Sequence, residues 1–364
     1  MLSERPPVTH IAIVAGDSTR RDALAAALDP VCPVHVLAAS SRPIVADTAL
    51  CVVVDIDLAA PRTPDEIALF DYLAGCPALP RIFVVDSADE RPDAAPLLAR
   101  ARTLGATETI SRPVEAESVL AILSDVKSRA FEDMALARGG AAGRGAAAAG
   151  RVLAAVFQAS KRLLFDEVKA EENLVLDALH DAGIRAWLDI VRQHHSATYR
   201  HSLLVTGFAV SFAQALDMRI EDQRRIARAA LLHDIGKALI PLSILDKPNA
   251  LTAEEMKTLR WHPVLGHKRL QEQGGFPEEI LDCVRHHHEM LDGSGYPDHL
   301  KGEEISDLVR VITLADIFSA LVEPRAYKPA LPVEEALRIM ARMKGKLDHD
   351  LLKRFRAVAV LSGH

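Results

Sequence analysis

Strand-like patterns are confined to the first part of this chain and helical patterns fill the rest, and this division constrains the fold most. Five short segments rich in Val and Ile precede residue 127, at 11–14, 34–37, 50–55, 81–85 and 108–110. Helical patterns lie between several of them, so an α/β domain with a parallel, flavodoxin-like sheet is predicted. From residue 184 onward helical periodicity continues almost to the end, which predicts an all-α C-terminal domain. A chain of 364 residues is long enough for these two cores.

The segment between the two predicted domains consists largely of Gly and Ala. Residues 135–150, ALARGGAAGRGAAAAG, predict a flexible linker to which the alanine run could add a helical turn. Residues 151–179 have helical spacing; a coiled-coil dimer stalk and an ordinary packing helix both remain open, because the apolar repeat is short. The predicted plan has four parts: an α/β domain at 1–128, a linker at 129–150, a connecting helix at 151–183 and a helical domain at 184–364.

Composition excludes several classes of function. The net charge of −7 argues against nucleic acid as a bulk partner, because neutralising phosphates requires a basic surface. The four cysteines are widely spaced and form no Cys-x-x-Cys pair, which disfavours a thiolate zinc site and a disulfide framework. No apolar stretch is long enough for a bilayer and no leader-like start is present, so we expect a cytoplasmic protein without membrane insertion.

Histidine is the outlier of the composition, since ten of the fifteen histidines lie between His194 and His299. The central motif is LLHDIGK, in which His233 and Asp234 are adjacent at the end of a predicted helix. At a helix end, neighbouring side chains can converge on one point. An imidazole beside a bridging carboxylate suits two divalent metals about 3.5–4 Å apart, which polarise a phosphate and activate water.

Four further motifs place imidazoles and carboxylates on separate predicted helices. They are TYRHSLLVTGF with His201, WHPVLGH with His262, RHHHEMLDGSGYP with His287 and His288, and LADIFSAL with Asp316. In order and approximate spacing, over about residues 196–361, the set resembles the HD superfamily. The string HHE followed by DGSGYP resembles its HD-GYP family nearly word for word. The resemblance implies an HD-domain helical bundle that hydrolyses cyclic di-GMP.

The resemblance also implies a ligand set for two metals. The implied ligands are His201, His233, Asp234, His262, His287, His288 and Asp316, with Asp234 bridging. Some family members bind a third metal through a glutamate where this chain has Ala197, so we predict a dinuclear site. Iron or manganese fits mixed histidine and carboxylate ligation. Four other histidines match no ligand position: His194, His195, His267 and His286.

Other residues are implied to act on the substrate. Lys237 would place its ammonium against the scissile phosphate. Gly295 lets the backbone approach a ligand closely, and Tyr296 offers a ring to stack on guanine and a hydroxyl to reach a phosphate. The segment EPRAYK resembles the family's Arg-Pro-Tyr-Lys, which makes Arg325 and Lys328 candidate contacts to the non-scissile phosphate or a guanine edge. An ordinary solvated charge is the alternative for each of these cations.

The predicted reaction is attack by a metal-bridging hydroxide, with Asp234 and Lys237 as catalytic groups, which opens cyclic di-GMP to pGpG and, after a second cut, GMP. Ser319 stands where the family commonly repeats an aspartate, and this departure bears on nucleotide preference. Two alternatives remain. One is a catalytically weak cyclic di-GMP receptor or protein-interaction module, and the other is an HD phosphohydrolase for another cyclic dinucleotide.

The order and size of the N-terminal domain resemble a response-regulator receiver, in which Asp55 would be the phosphoacceptor at the end of the third strand. Ala15 and Gly16 stand where receivers carry an acidic pair for Mg²⁺, leaving only Asp17 nearby, and Arg112 replaces the receiver lysine. We therefore expect a degenerate receiver that serves dimerisation or protein contacts, with phosphorylation of Asp55 disfavoured.

Overall fold

The computed structural model describes residues 10–29, 32–37, 49–76, 79–85, 94–158, 162–194, 196–245, 247, 249–324 and 330–362. It divides into two compact units, Met1–Val126 and Lys127–His364, next to the boundary predicted at residue 128. Each unit has its own apolar core. The multidomain organisation is therefore as the change in periodicity predicts.

The first unit contains a five-stranded parallel sheet, as predicted. Its strands are β1 (His10–Ala15), β2 (Val34–Val36), β3 (Ala49–Asp55), β4 (Arg81–Val85) and β5 (Glu108–Ser111). Their order is β2-β1-β3-β4-β5. The described helices around it are α1 (Ser18–Leu28), α2 (Pro64–Ala74) and α3 (Ala94–Thr103). Along β3, Val52 and Val54 belong to one apolar cluster and Cys51 and Val53 to the other, because alternate side chains face opposite sides of a sheet. Both faces are covered, as is usual for parallel sheets.

The second unit is helical. Helix α4 (Ala116–Arg138) begins in the first unit and ends in the second. The helices that follow are α5 (Gly140–Val156), α6 (Phe165–Asp177), α7 (Gly183–Val191), α8 (Ala197–Ala215), α9 (Ile220–Leu232), α10 (Leu242–Leu245), α11 (Ala253–Leu259), α12 (His262–Gln273), α13 (Glu278–His286), α14 (Asp307–Val322), α15 (Val333–Arg342) and α16 (His349–Leu361). Across the described ranges, no helix combines the length and apolarity needed to cross a membrane.

The prediction of a flexible linker at 129–150 is wrong. Helix α4 continues to Arg138, and α5 is largely buried in the core of the second unit. A Cβ at Gly145 would lie 2.2 Å from Cβ of Ala178, and one at Gly143 would lie 2.4 Å from the carbonyl oxygen of Ala135. The glycines therefore allow helices to approach closely. A composition that suits a flexible segment serves here for tight packing.

The single connecting helix predicted at 151–183 is wrong as well. Helix α5 ends at Val156, α6 begins at Phe165, and a π-helical turn at Ala178–Ala182 leads to Gly183, whose φ is +77°. Apolar residues of both helices belong to the buried core of the second unit. The segment therefore matches the packing interpretation and not a coiled-coil stalk.

Candidate metal centre

The seven predicted metal ligands come from several helices and converge on one place. They are His201 on α8, His233 and Asp234 directly after α9, His262 at the start of α12, His287 and His288 directly after α13, and Asp316 on α14. Six of them form two groups of three: His201, His233 and Asp234, and His262, His287 and His288. Within each group the possible ligand atoms all lie within 4.8 Å of one another. Two adjacent groups of three ligands are the arrangement expected for two ions.

Asp234 lies between the two groups and presents one carboxylate oxygen to each. Its Oδ2 is 3.2 Å from Nε2 of His233 and 3.9 Å from Nε2 of His201. Its Oδ1 is 3.2 Å from Nε2 of His262 and 3.8 Å from Nε2 of His287. Two ligands that are each about 2.1 Å from one metal lie roughly 3.0–3.4 Å apart at angles of about 90–110°. The shorter spacings fit ligands of a shared ion, with Asp234 placed to bridge two ions.

Three of the imidazoles are oriented by carbonyl groups from the last turn of a helix. Nδ1 of His233 donates to Ala230 O at 2.7 Å, and Nδ1 of His262 donates to Leu259 O at 2.7 Å. Nδ1 of His287 donates to Val284 O at 3.0 Å. Carbonyls in a last helical turn lack partners within the helix, so they can accept these bonds. With its proton on Nδ1, each neutral ring presents the lone pair of Nε2.

These lone pairs and the buried oxygens fit a cation. Nε2 of His262 and Nε2 of His287 are only 3.2 Å apart, although both face each other as acceptors. Within the described part of the chain, Nε2 of His233 and Oδ1 of Asp234 are buried without a hydrogen-bond partner. Buried polar atoms normally have partners, so this set is suited to divalent metal ions.

His201 is oriented differently, between two carboxylates. Its Nε2 lies 2.8 Å from Oδ1 of Asp316, and its Nδ1 lies 3.4 Å from Oε2 of the buried Glu323. Burial opposes a charge on this ring, but the two carboxylates outweigh burial and raise the pKa of His201 to about 9 before any metal binds. Glu323 is the first residue of EPRAYK, but the resemblance gives a role only to Arg325 and Lys328, so the sequence did not predict this contact.

His288 belongs to the second group, and Asp316 reaches it with its other oxygen, Oδ2, at 3.5 Å from Nδ1. Burial lowers the pKa of His288 to about 3. Burial, together with the neighbouring imidazoles, also holds the pKa of His287 well below its usual range. Both rings are therefore neutral near pH 7, the form in which histidine binds a metal.

Lys237 and Gly236 lie on a 3₁₀ turn, Ile235–Leu239, that directly follows Asp234. Nζ of Lys237 donates to Oδ2 of Asp234 at 2.6 Å, so the predicted catalytic ammonium lies at the centre. At Gly236 a Cβ would lie 1.8 Å from the carbonyl oxygen of His262. Glycine therefore allows the turn to lie directly against the start of α12, which brings His262 next to Asp234.

The DGSGYP segment folds back against the end of α13. A Cβ at Gly295 would lie 2.4 Å from Cα of Glu289, so only glycine fits this close approach. Oε1 of the buried Glu289 accepts the backbone N–H groups of Asp298 at 2.6 Å and His299 at 2.9 Å. The HHE motif alone does not predict this function of its glutamate, which is to hold the segment in place.

Tyr296 lies against the second group of ligands. Its ring stacks on His288 with centroids 4.8 Å apart, and the exposed guanidinium of Arg260 lies 5.1 Å from the centroid of the same ring. Burial, and the negative charges of Asp316 and Asp234, raise the pKa of the Tyr296 hydroxyl, which is therefore protonated at neutral pH. Arg260 was not predicted, because an isolated exposed arginine carries no signal in the sequence.

The remaining predicted positions are distributed as follows. Ala197 is the exposed first residue of α8, one turn before His201, and offers no ligand atom. Ser319 on α14 is wholly buried, and its hydroxyl has no hydrogen-bond partner within the described ranges. Arg325 and Lys328 lie outside the described residues.

Among the described residues, the histidines that match no ligand position belong to neither group. His194 is buried next to Phe131 and Tyr199. His286 lies between Asp282 and Asp298, at 2.7 and 2.9 Å. His267 lies on α12 outside either group, and His195 lies outside the described residues.

In the first unit, Asp55 ends β3, as predicted; its side chain is buried and its carboxylate is paired with arginines. Arg112 binds both oxygens, with Nη1 2.7 Å from Oδ2 and Nη2 on Oδ1, and Nη1 of Arg20 lies 3.4 Å from Oδ1. Asp17 accepts the backbone N–H of Arg20 at 2.8 Å and caps α1. The acidic groups near the end of β1 are thus engaged in ion pairing and capping.

The helical part of the chain is similar to known proteins. Residues 185–351 match the family described as the HD domain. Over 172 residues the chain is 37% identical to the cyclic di-GMP phosphodiesterase PA4108 of Pseudomonas aeruginosa, covering 47% of this chain and 42% of that protein. Over 172 residues it is 38% identical to the 3′3′-cGAMP-specific phosphodiesterase 3 of Vibrio cholerae, covering 47% of this chain and 37% of that protein. The chain thus spans less than half the length of these curated relatives.

One solved structure resembles the fold over a longer range. Bd1817, a HDG"Y"P protein from Bdellovibrio bacteriovorus, superposes with a TM-score of 0.51 at 16% identity, covering 68% of this chain and 80% of that one. At this identity the likeness concerns the fold alone.

Proposed function

We propose that this chain, whose residues 185–351 match the HD-domain family, is a metal-dependent phosphodiesterase that hydrolyses cyclic di-GMP. The observation that carries the proposal is the position of Asp234, with one oxygen facing each of two groups of imidazoles. The named relatives act on cyclic dinucleotides, which supports this class of substrate. Linear pGpG and GMP are the proposed products.

Seven residues would hold two divalent ions, with iron or manganese as the proposed metals. They are His201, His233, Asp234, His262, His287, His288 and Asp316. Ions bound there would lower the pKa of water and offset the negative charge that develops on a phosphate. Ala197 stands where some family members have a glutamate that binds a third metal, and alanine has no ligand atom. We therefore propose two ions and not three.

Several residues of the chain would position the nucleotide. The ammonium of Lys237 lies beside Asp234 and would support the charge on the scissile phosphate. The protonated hydroxyl of Tyr296 would donate to a phosphate oxygen, because its ring is already packed against His288 and Arg260. This packing favours contact of the Tyr296 hydroxyl with a phosphate over stacking of the Tyr296 ring on guanine. Arg260, together with Arg325 and Lys328, would contact the second phosphate or a guanine edge.

A second candidate substrate is 3′3′-cGAMP, which is favoured by the name of the Vibrio cholerae relative. Ser319, the departure expected to affect nucleotide preference, is wholly buried. It could therefore act on the nucleotide only through neighbours such as Asp316, one turn earlier on α14. The discriminating contacts are expected among the exposed residues at the centre, of which Arg260 is one.

For the first unit we propose a degenerate receiver that serves dimerisation or protein contacts. The parallel sheet and the buried Asp55 at the end of β3 support the receiver-like interpretation. The ion pairs of Asp55 with Arg112 and Arg20 support a domain that does not use phosphorylation.

The test is to incubate metal-loaded protein with cyclic di-GMP or 3′3′-cGAMP and to follow pGpG, GMP and the corresponding mixed products by chromatography. His233→Ala and Asp234→Ala should lose bound metal and hydrolysis together. Lys237→Ala should keep its metal and lose about a hundredfold in kcat. His267→Ala, on α12 but outside both groups, is the control and should behave as the wild type.

Retained turnover in purified His233→Ala or Asp234→Ala would rule out this centre as the site of hydrolysis. Tight binding of cyclic di-GMP by the metal-loaded wild type without any product would favour the receptor alternative. Faster hydrolysis of 3′3′-cGAMP than of cyclic di-GMP would make 3′3′-cGAMP the preferred substrate and contradict the proposed preference for cyclic di-GMP.

A further inference from the structure

Glu323 directly follows α14, and its carboxylate contacts His201, a proposed metal ligand, on the Nδ1 side of the ring. We infer that Glu323 is a positioning residue of the metal centre, which accepts the Nδ1 proton of His201 and thereby directs Nε2 toward the metal. The inference rests on the proposed metal-dependent function, because it assigns a task to a neighbour of a proposed ligand. It does not depend on which nucleotide is hydrolysed.

His201 needs a side-chain partner because of its place in its helix. His233, His262 and His287 each use a carbonyl from the last turn of a helix. His201 lies within α8, where carbonyl oxygens accept from the helix itself. The carbonyl three residues earlier, that of Thr198, also accepts the hydroxyl of Ser202 at 3.2 Å. A carboxylate therefore replaces the carbonyl that the other three rings use.

The position of Glu323 is itself held by several contacts. Its backbone N–H donates to Ser319 O at 3.0 Å, which ends α14, and its side chain is only 2% exposed. Nε of Arg200 lies 2.8 Å from Oε1 of Glu323. Arg200 also donates to His194 O at 3.1 Å. Oε2, the other carboxylate oxygen, lies 3.4 Å from Nδ1 of His201.

Glu323 and Asp316 act on the same ring from opposite sides. They are seven residues apart, which places them two turns apart on nearly one face of the chain. Asp316 Oδ1 is 2.8 Å from Nε2, and Glu323 Oε2 is 3.4 Å from Nδ1, an ion-pair contact that does not have hydrogen-bond geometry. The ring cannot turn over without losing both contacts, so the pair defines which nitrogen faces Asp234.

Carboxylates behind metal-bound histidines fix the tautomer and raise the basicity of the ring, and removing one typically lowers metal affinity about 10- to 100-fold. The test therefore measures metal affinity by competition with a chelator in the full-length Glu323→Ala and Glu323→Gln variants. Glu323→Ala should bind metal about 10- to 100-fold more weakly. Glu323→Gln should lose less, because its amide oxygen still accepts from Nδ1–H.

Glu172→Ala is the matched control for loss of a buried ion pair. Glu172 is 5% exposed, and its carboxylate binds Arg228 through two bonds, one of 2.8 Å from Nη2 and one from Nε. It belongs to neither group of metal ligands. The control should be less stable to heat than the wild type but should bind metal with wild-type affinity.

Three outcomes would overturn the inference. A folded Glu323→Ala variant with affinity within about twofold of the wild type would remove the role of Glu323 while leaving the metal centre intact. Equal weakening in Glu172→Ala would attribute the effect to general stability. Failure of the wild type itself to bind metal would overturn the proposed function, and this inference with it.

Discussion

Gly236→Ala is expected to remove one metal from the proposed centre while leaving the other. Gly236 lies on the 3₁₀ turn between Asp234 and Lys237, directly against the first residue of α12. An added Cβ would lie 1.8 Å from the carbonyl oxygen of His262 and 2.6 Å from the backbone nitrogen of Gly266. Both are backbone atoms, so no side-chain rotation can relieve the contact.

The size of the displacement follows from these distances. Real Cβ contacts do not fall below about 3.0 Å, so the turn and the start of α12 must separate by about 1.2 Å from the present 1.8 Å. The distance from Nε2 of His262 to Oδ1 of Asp234 would then increase from 3.2 Å to about 4.4 Å. Two ligands of one ion lie roughly 3.0–3.4 Å apart. The group with His262 should therefore lose its ion, whereas His201 and His233 keep their positions around Asp234.

The assay is metal content per protein, with the melting temperature and hydrolysis measured on the same samples. The variant should bind about one ion where the wild type binds two, and should lose at least a hundredfold in kcat/KM, since misplacement by 1 Å costs about that much. Overpacking should also cost about 1–3 kcal/mol of stability. Gly16→Ala is the control, because its Cβ would meet nothing closer than 3.5 Å.

The reasoning would be refuted if Gly236→Ala retained two ions and wild-type kcat/KM. Loss of both ions together would show that the two groups of ligands do not bind independently. Loss of folding would be recognised by circular dichroism. In that case His262→Ala, which removes the same proposed ligand without adding an atom at Gly236, would test whether one ion is lost.

Two further predictions concern acidity and the first unit. Burial lowers the pKa of His288 from about 6.5 to about 3, so below pH 6.5 the unfolded chain binds a proton at this ring that the folded chain does not. The metal-free protein should therefore lose stability as the pH falls below about 6.5. Urea titrations should show a smaller loss of stability between pH 7.5 and pH 5 in His288→Asn than in the wild type, and an equal loss would contradict the lowered pKa of His288. Incubation with acetyl phosphate and Mg²⁺ should not phosphorylate Asp55, and a mass increase of one phosphoryl group in intact-protein mass spectrometry would show a working receiver. Arg112→Ala should lower the melting temperature of the first unit, because it leaves the buried carboxylate of Asp55 poorly paired.

Where local chemistry decides the structure, the sequence was informative. The five strands were predictable because a buried parallel strand must be a short run of Val and Ile, as in β3 and β4. The convergence of His233, Asp234 and His287 was predictable because the order and spacing of their motifs resemble those of the HD superfamily. The glycine-rich segment was not predictable, because Gly143 and Gly145 have the composition of a linker whether they face water or a neighbouring helix. Only the partners Ala135 and Ala178, distant in sequence or on another helix, distinguish the two cases.

The same distinction explains why Glu323 could not be predicted although the ligand it supports could. Three of the imidazoles are oriented by a carbonyl three residues earlier, so each support lies directly beside its own motif in the sequence. His201 draws its support from residue 323, more than a hundred positions away, and the salt bridge from Arg200 requires α8 and the end of α14 to be adjacent. A ligand motif can thus be complete in sequence while its supporting contacts depend on the tertiary fold. For this reason we expect variants of Arg200 and Glu323, to which the motifs assign no role, to alter metal binding more than substitutions of exposed residues in the same motifs.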